Sequence, residues 1–457
     1  MRTVYLFFTL IIVSFLGSAQ DISGDWTGEL NFAGNSLDLN FKVYKSEGNY
    51  VSSLSIPAQN VSDLKSSSTT YVDSLLTIEM NAIGAKYLGK KLTKDSIIGN
   101  FVQNGMTLKL NLVRGNTKLN RPQEPQPPFN YYVEDVVFRN KIDNINLSGT
   151  LTLPKKEGKF PVVILISGSG PQDRNSYIFG HKPFLLLAHE LTQSGVGVFR
   201  FDERGVGLSE GEFQGAELSD FVKDVESAYD FLKNRKDIDP DKIGLLGHSI
   251  GGVVAPKLAV QENTEISFLV LLAAPGVRGD ELMLKQRGDL LRLRGLTEAQ
   301  VKQSNEIFRN TYDFINSTDA EGEKLERELT EFLNTNYKDA MMEKQRLMMV
   351  EQITSKEVLA LLRNEPVQYL RLVDCPVLAI GGKNDFQVSS QENLATIEFA
   401  LKEGGNTNVE IQEFEGINHL MQESETGDAN EYSIIEQTMS PEVLKLIKTW
   451  IGEQVLD

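Results

Sequence analysis

Ser249 stands in Gly247-His248-Ser249-Ile250-Gly251, after the apolar run Ile243-Gly244-Leu245-Leu246 and before Gly252-Val253-Val254-Ala255. That order reads as strand, tight turn and helix. The G-x-S-x-G spacing puts a serine at the apex of a strained turn, with its hydroxyl projecting from the sheet edge. The flanking glycines let the backbone fold sharply and the helix pack close to the strand. The next backbone N–H, that of Ile250, is aimed where an oxyanion would form. Such a serine does nucleophilic acyl chemistry once a base and an orienting acid reach it.

The chain has 4 histidines, so the base can be sought by elimination. His248 adjoins the serine and is expected to point away from the apex. His181 and His189 lie before or within the first long helix after a Gly-rich loop. His419 follows the apparent last strand, Val409 to Phe414, where a loop can lean over the serine. It is the candidate base. The acid is expected between the two in sequence. Asp385, in Gly381-Gly382-Lys383-Asn384-Asp385-Phe386-Gln387-Val388, follows the strand Val377 to Ile380, and such sheets place functional groups at the ends of strands. An ordinary turn aspartate would look the same. A second oxyanion donor is expected from Ser167-Gly168-Ser169-Gly170-Pro171, after the strand Val162 to Ile166. The N–H of Ser169 is the first choice and that of Gly170 the second. G-x-G-x-x-G and a Walker lysine are absent from this loop, which argues against a dinucleotide or phosphate site.

Elsewhere the composition is that of a water-soluble globular protein. The 457 residues carry a formal net charge of −17, which argues against nucleic acid or an anionic membrane surface as the main partner. Arg2, the apolar run Val4 to Leu16 and Gly17-Ser18-Ala19 read as a secretory signal peptide, residues 1–19, cleaved after Ala19. That run is short for a membrane span. No cysteine stands near the cleavage site, so the expected product is exported without a lipid anchor, to the periplasm or the cell exterior. Cys375, the single cysteine, reads as a small core residue.

Three regions must position the candidate groups. Residues 20–114 alternate apolar and polar side chains, as in Leu37, Leu39, Phe41 and Val43, and again in Met106, Leu108, Leu110 and Leu112. About eight short strands are expected, closing into a small barrel or sandwich. The opening Gly24-Asp25-Trp26 resembles the first strand of lipocalin-like barrels. Residues 115–130, with Pro122, Pro125, Pro127 and Pro128, read as an extended linker. From 131 to 457 continuous apolar runs alternate with helical stretches, which implies a mostly parallel sheet covered by helices. A helical insertion at about 276–373 interrupts it. Its methionines, Met341, Met342, Met348 and Met349, read as packing residues or as the lining of an acyl pocket.

With these residues in place, the region 131–457 resembles the α/β-hydrolase family. The order Ser249, Asp385, His419, the elbow itself and Phe201-Asp202-Glu203-Arg204-Gly205 carry the likeness. The loop Gly168 to Asn175 resembles that of bacterial carboxylesterases related to serine aminopeptidases and dienelactone hydrolases. Ser167-Gly168 replaces the family's usual His-Gly and keeps the donor N–H. The resemblance implies an α/β-hydrolase sheet with a helical lid, preceded by the all-β domain. With the signal peptide supplying export, the expected protein is a secreted serine hydrolase that cleaves small or polymer-linked esters through an acyl-enzyme, with no cofactor or metal. A serine aminopeptidase would use the same groups and need an acidic residue in the lid. An acyltransferase and a non-catalytic lipid- or glycan-binding protein are the remaining alternatives.

Overall fold

The computed structural model describes residues 21–32, 35–115 and 120–456, so the expected signal segment 1–19 lies outside the described residues. The chain forms two compact units, Met1–Lys118 and Leu119–Asp457.

In the first unit the strands are β1 (Gly24–Phe32), β2 (Asn35–Ser46), β3 (Asn49–Ile56), β4 (Val61–Lys65), β5 (Ser68–Val72), β6 (Leu75–Met80), β7 (Ala85–Thr93), β8 (Ser96–Gln103), β9 (Met106–Lys109) and β10 (Leu112–Arg114). They make one sheet in the order β4-β3-β2-β1-β10-β8-β7-β6-β5, with β9 on β8. The two ends approach: Ser66 N–H donates to Ser52 O at 2.8 Å, and the Ser52 and Thr69 hydroxyls lie 2.7 Å apart. The sheet therefore curls around a core that includes Trp26, Phe41, Leu54, Ile78 and Tyr87. Trp26 is fully buried, gives its indole N–H to Ile22 O at 2.9 Å, and lies 4.4 Å beneath the Arg114 guanidinium. Ten strands replace the eight expected among the described residues. The run 106–112 breaks into β9 and β10. The short strands β4 and β5 are half-exposed throughout and lack the apolar alternation that marks a strand.

The second unit runs β11 (Tyr132–Asn140), β12 (Ile145–Leu153), β13 (Phe160–Ile166), α1 (Pro183–Gln193), β14 (Gly197–Phe201), α2 (Leu218–Lys233), β15 (Ile238–His248), α3 (Gly251–Ala259) and β16 (Leu269–Leu272). Six helices follow: α4 (Gly279–Leu293), α5 (Glu298–Asn316), α6 (Gly322–Tyr337), α7 (Glu343–Ile353), α8 (Lys356–Leu362) and α9 (Pro366–Leu370). The sheet then resumes with β17 (Val377–Gly382), α10 (Ser390–Glu403), β18 (Val409–Phe414), α11 (Ala429–Tyr432) and α12 (Pro441–Val455). Strand order is β11-β12-β14-β13-β15-β16-β17-β18. β11 and β12 pair antiparallel, as do β12 and β14, and every later pairing is parallel.

Each buried strand serves two cores because successive side chains point to opposite faces. β13 sends Val162, Ile164 and Ile166 toward α2, α3 and α10, and Val163 and Leu165 toward α1 and α12. Truncating one such side chain to alanine costs about 2–5 kcal/mol. Five of the inserted helices, α4 to α8, pack around a cluster of their own, including Ile315, Leu325, Leu329 and Leu333, while α9 joins the sheet core through Tyr369 and Leu370.

Residues 120–128 belong to the second unit and lie against two of its loops. Arg121 donates to the carbonyls of Phe179 (3.2 Å), Gly180 (3.2 Å), Ser433 (2.7 Å) and Ile435 (3.1 Å). The Gln123 side chain bonds Met439 O and Thr438 N–H. This segment ties two loops of the unit together, so it is more than the extended spacer its prolines imply.

Candidate active site

Ser249 follows β15 with φ at +54°, a conformation that non-glycine residues rarely adopt. Its N–H donates to Leu272 O at 2.9 Å, and its carbonyl accepts from Gly252 N–H at 2.9 Å. The two flanking glycines are needed for close approach. A Cβ on Gly247 would lie 2.2 Å from Gly251 O, and one on Gly251 would lie 2.2 Å from Ile166 O. The serine itself carries the left-handed strain, and the hydrogen bonds on both sides hold it there.

Asp385 follows β17 and His419 follows β18, so the parallel sheet brings both to the edge that carries Ser249. His419 Nδ1 lies 2.8 Å from Asp385 Oδ2. Asp385 Oδ1 accepts from the N–H groups of Gln387 (2.8 Å) and Val388 (2.9 Å). The carboxylate therefore closes its own turn and holds the imidazole as well. Both side chains are almost wholly buried. Asn418 shapes the loop: its Oδ1 accepts from the N–H groups of Leu420 and Gln422, both at 3.0 Å. Ser249 and His419 line one cavity of about 510 Å³.

The loop after β13 lies against the elbow. A Cβ on Gly168 would sit 3.1 Å from Ser249 Cβ. Among the described residues, neither the Ile250 N–H nor the Ser169 N–H donates a hydrogen bond within the chain. Both residues line a second, smaller cavity of about 50 Å³. Gln172 fixes the Ser169 peptide, its Nε2 donating to Ser169 O at 3.0 Å. Gln172 N–H in turn donates to the buried Glu203 Oε2 at 2.8 Å. Burial, followed by the repulsion of Asp224 and Glu357, pushes the Glu203 carboxyl well above its usual range. Asp202, its neighbour, accepts from Arg174 Nη2 at 2.7 Å and Nε at 3.0 Å. The loop 202–205 thus braces the loop that carries Ser169.

Sequence reasoning missed His248. Its ring turns toward the site: Nε2 donates to His419 O at 2.8 Å, and the two imidazole centroids are 4.9 Å apart. Burial, together with the nearby His419, lowers the His248 pKa to about 3. It is a neutral brace under the loop of His419. The G-H-S-x-G pattern was visible, but no periodicity says which way that ring points. The other histidines lie apart from the site residues: His181 is buried against Tyr432 O and Thr438, and His189 packs on Phe129 and Tyr131. Burial drives the Cys375 thiol up to about 12, consistent with an inert core residue. The methionine cluster does not line the cavity. Met342 and Met348 are exposed, Met349 belongs to the helical insertion's core, and Met283 faces the cavity instead. Among the described residues, no group of three or more His, Cys, Asp or Glu is placed to hold a metal ion.

The arrangement is a strained serine, a histidine pinned by a carboxylate, and two N–H groups without acceptors, a set suited to nucleophilic acyl chemistry. The family model described as serine aminopeptidase, S33, matches residues 182–426. The chain belongs to this family of α/β-hydrolases. Esterase EstD of Thermotoga maritima is 29% identical over 294 residues, 64% of this chain. The chain spans 62% of that relative's length. Polyketide transferase ATR5 of Stachybotrys chlorohalonatus is 28% identical over 274 residues, covering 57% of this chain and 82% of that one. Among solved structures, the Pyrococcus furiosus esterase Pf2001 aligns over 72% of this chain and 94% of its own, at 18% identity and a TM-score of 0.42.

Proposed function

We propose that the protein is an exported carboxylesterase acting through Ser249, His419 and Asp385. The reading rests chiefly on the Asp385–His419 bond at 2.8 Å, with His419 and the strained Ser249 lining one cavity. With Nδ1 held by Asp385, His419 presents Nε2 to the serine hydroxyl. Nε2 takes the proton as Oγ bonds to the ester carbonyl carbon. The oxyanion lies on the N–H groups of Ile250 and Ser169. The carbon–oxygen bond to the alcohol then breaks, the alcohol leaves with the proton from Nε2, and water repeats the sequence on the acyl-enzyme. Losing one oxyanion donor costs about 3–4 kcal/mol of barrier. Export rests on the first 19 residues, and a secreted product beginning at Gln20 is the expected result of N-terminal sequencing.

A second reading, an aminopeptidase, has one observation in its favour. Glu203 and the lid residue Glu357 both line the smaller cavity beside Ser169 and Ile250, where they would meet a substrate's α-ammonium. Against it, no aspartate or glutamate among the described residues lines the larger cavity. Purified protein given p-nitrophenyl acyl esters and aminoacyl p-nitroanilides decides between them. Faster turnover of the esters, with labelling by a fluorophosphonate probe, is expected. Anilide turnover that depends on Glu203 and Glu357 would reverse the assignment.

A further inference from the structure

Among the described residues, the larger cavity has one arginine and no lysine, aspartate or glutamate in its wall, the arginine being Arg287 on α4. In a chain with 63 acidic and 46 basic residues, that is an unusual wall. Arg287 Nη2 donates to Ser304 Oγ at 2.8 Å, and its guanidinium lies 3.6 Å from the centre of the Phe308 ring. Its Nε is buried without an acceptor. Arg174, Arg204 and Arg235 each have a carboxylate. The buried Arg200 on β14, like Arg287, keeps its Nε without an acceptor, but it meets Asn175 and does not line this cavity. Among the described residues, no carboxylate lies within 4.0 Å of Arg287. Burial lowers its pKa, so the fold bears the cost of a half-desolvated cation without an internal counter-ion.

Such a cation in a substrate cavity is completed by the ligand. On the ester-cleaving reading above, we infer that the preferred ester carries a carboxylate on its acyl or alcohol portion, paired with Arg287. The cavity's volume of about 510 Å³ is that of a small-molecule site. A single negative charge matches the single cation. A phosphate dianion would call for a second one, and no lysine among the described residues lines this cavity. Neutral polar residues of the wall, among them Gln286 and Gln352, can hydrogen-bond the ester's other oxygens without competing for the charge.

Matched pairs test this. On the acyl side, mono-p-nitrophenyl glutarate is compared with its methyl-capped diester. On the alcohol side, 4-acetoxybenzoate is compared with its methyl ester. The charged member of at least one pair is expected to have a kcat/KM at least about tenfold higher, mainly through KM. Arg287→Gln should cut that ratio about tenfold, and Arg287→Lys should restore part of it. Turnover of the capped esters reports that each variant is folded. Equal rates within both pairs, or a preference that survives Arg287→Gln, would overturn the inference while leaving the esterase reading intact. Preference for a phosphomonoester analogue would overturn the single-charge match. If no ester is cleaved at all, it is the esterase reading that fails.

Discussion

The sheet edge and the helical insertion hold their functional groups by different means. Ser249, Asp385, His419 and Ser169 sit one to five residues past strands whose register is set by backbone ladders. Backbone groups fix two of them, Leu272 O holding the Ser249 N–H and the Gln387 and Val388 N–H groups holding Asp385. Side chains at the same edge fix the others, Asp385 and His248 holding His419 and Gln172 holding Ser169. Arg287 is oriented by side chains alone, the Ser304 hydroxyl and the Phe308 ring, on helices with a small core of their own. Bond-making tolerates displacements well under 1 Å, and backbone anchoring supplies that precision. Recognition of a charged tail tolerates more, and side-chain anchoring leaves it free to vary.

If that contrast holds, changes at the sheet edge should cost orders of magnitude in kcat, and changes elsewhere should cost far less. Ser249→Ala should lose about 10⁶ in kcat with its melting temperature nearly unchanged, measured by ester turnover and calorimetry. Asp385→Asn should lose about 10⁴. Asparagine can keep the bonds to Gln387 and Val388 through its oxygen, but its amide N–H groups then face His419 Nδ1 and select the wrong tautomer. A fall of tenfold or less would mean that Asp385 serves its turn and little else.

The same contrast explains what could be read in the residues. Ser249 and Asp385 are legible because a strand followed by a sharp turn leaves few residue types that fit, and His419 because only four histidines compete. The direction of the His248 ring depends on the His419 carbonyl, 171 residues away in sequence. The methionine cluster left two readings open for a related reason: helical spacing says which residues share a face, and tertiary packing decides whether that face meets the cavity or the lid's own core. The strap at 120–128 read as a spacer because proline content reports extension. Its anchoring depends on carbonyls near residues 180 and 433 that no local pattern announces.

That strap makes an intermediate case. Arg121 donates to two loops whose neighbours Ile178, Ala429 and Tyr432 line the larger cavity. Arg121→Ala should raise KM for esters by about tenfold or less and leave kcat close to wild type, because it frees a wall and not the nucleophile. The loss of several charge-assisted hydrogen bonds, each worth about 1.5–3 kcal/mol, makes that wall mobile. A loss confined to kcat would break the comparison by placing the strap among the groups that do chemistry.

His181 reports on the same junction through pH. Burial, then the nearby Arg121 charge, lowers its pKa from 6.5 to about 4. A depressed folded-state pKa means that the neutral form is favoured in the fold. Its stabilisation is complete above pH 6.5 and is lost as pH falls toward 4, on the order of 3 kcal/mol at most. His181→Gln should therefore lose less stability than wild type between those pH values in urea titrations. A parallel loss would show that His181 is not protonated on unfolding.

The smallest effect on turnover is expected inside the lid. Leu329 is fully buried in the cluster of the inserted helices, which includes none of Ser249, Asp385 and His419. Leu329→Ala removes three side-chain carbons from that cluster, at a cost of about 2–5 kcal/mol. If the lid is a packing unit in its own right, amide exchange should accelerate in α5–α7 and stay unchanged in α3 and β15. Turnover of a small neutral ester should change by less than about twofold, since the sheet still holds Ser249 and His419. The preference for a charged ester should weaken more, because Arg287 reaches the cavity from α4 and is braced by α5. Exchange rising equally in α3 would mean that lid and sheet melt together, and the division of labour between them would have no energetic basis.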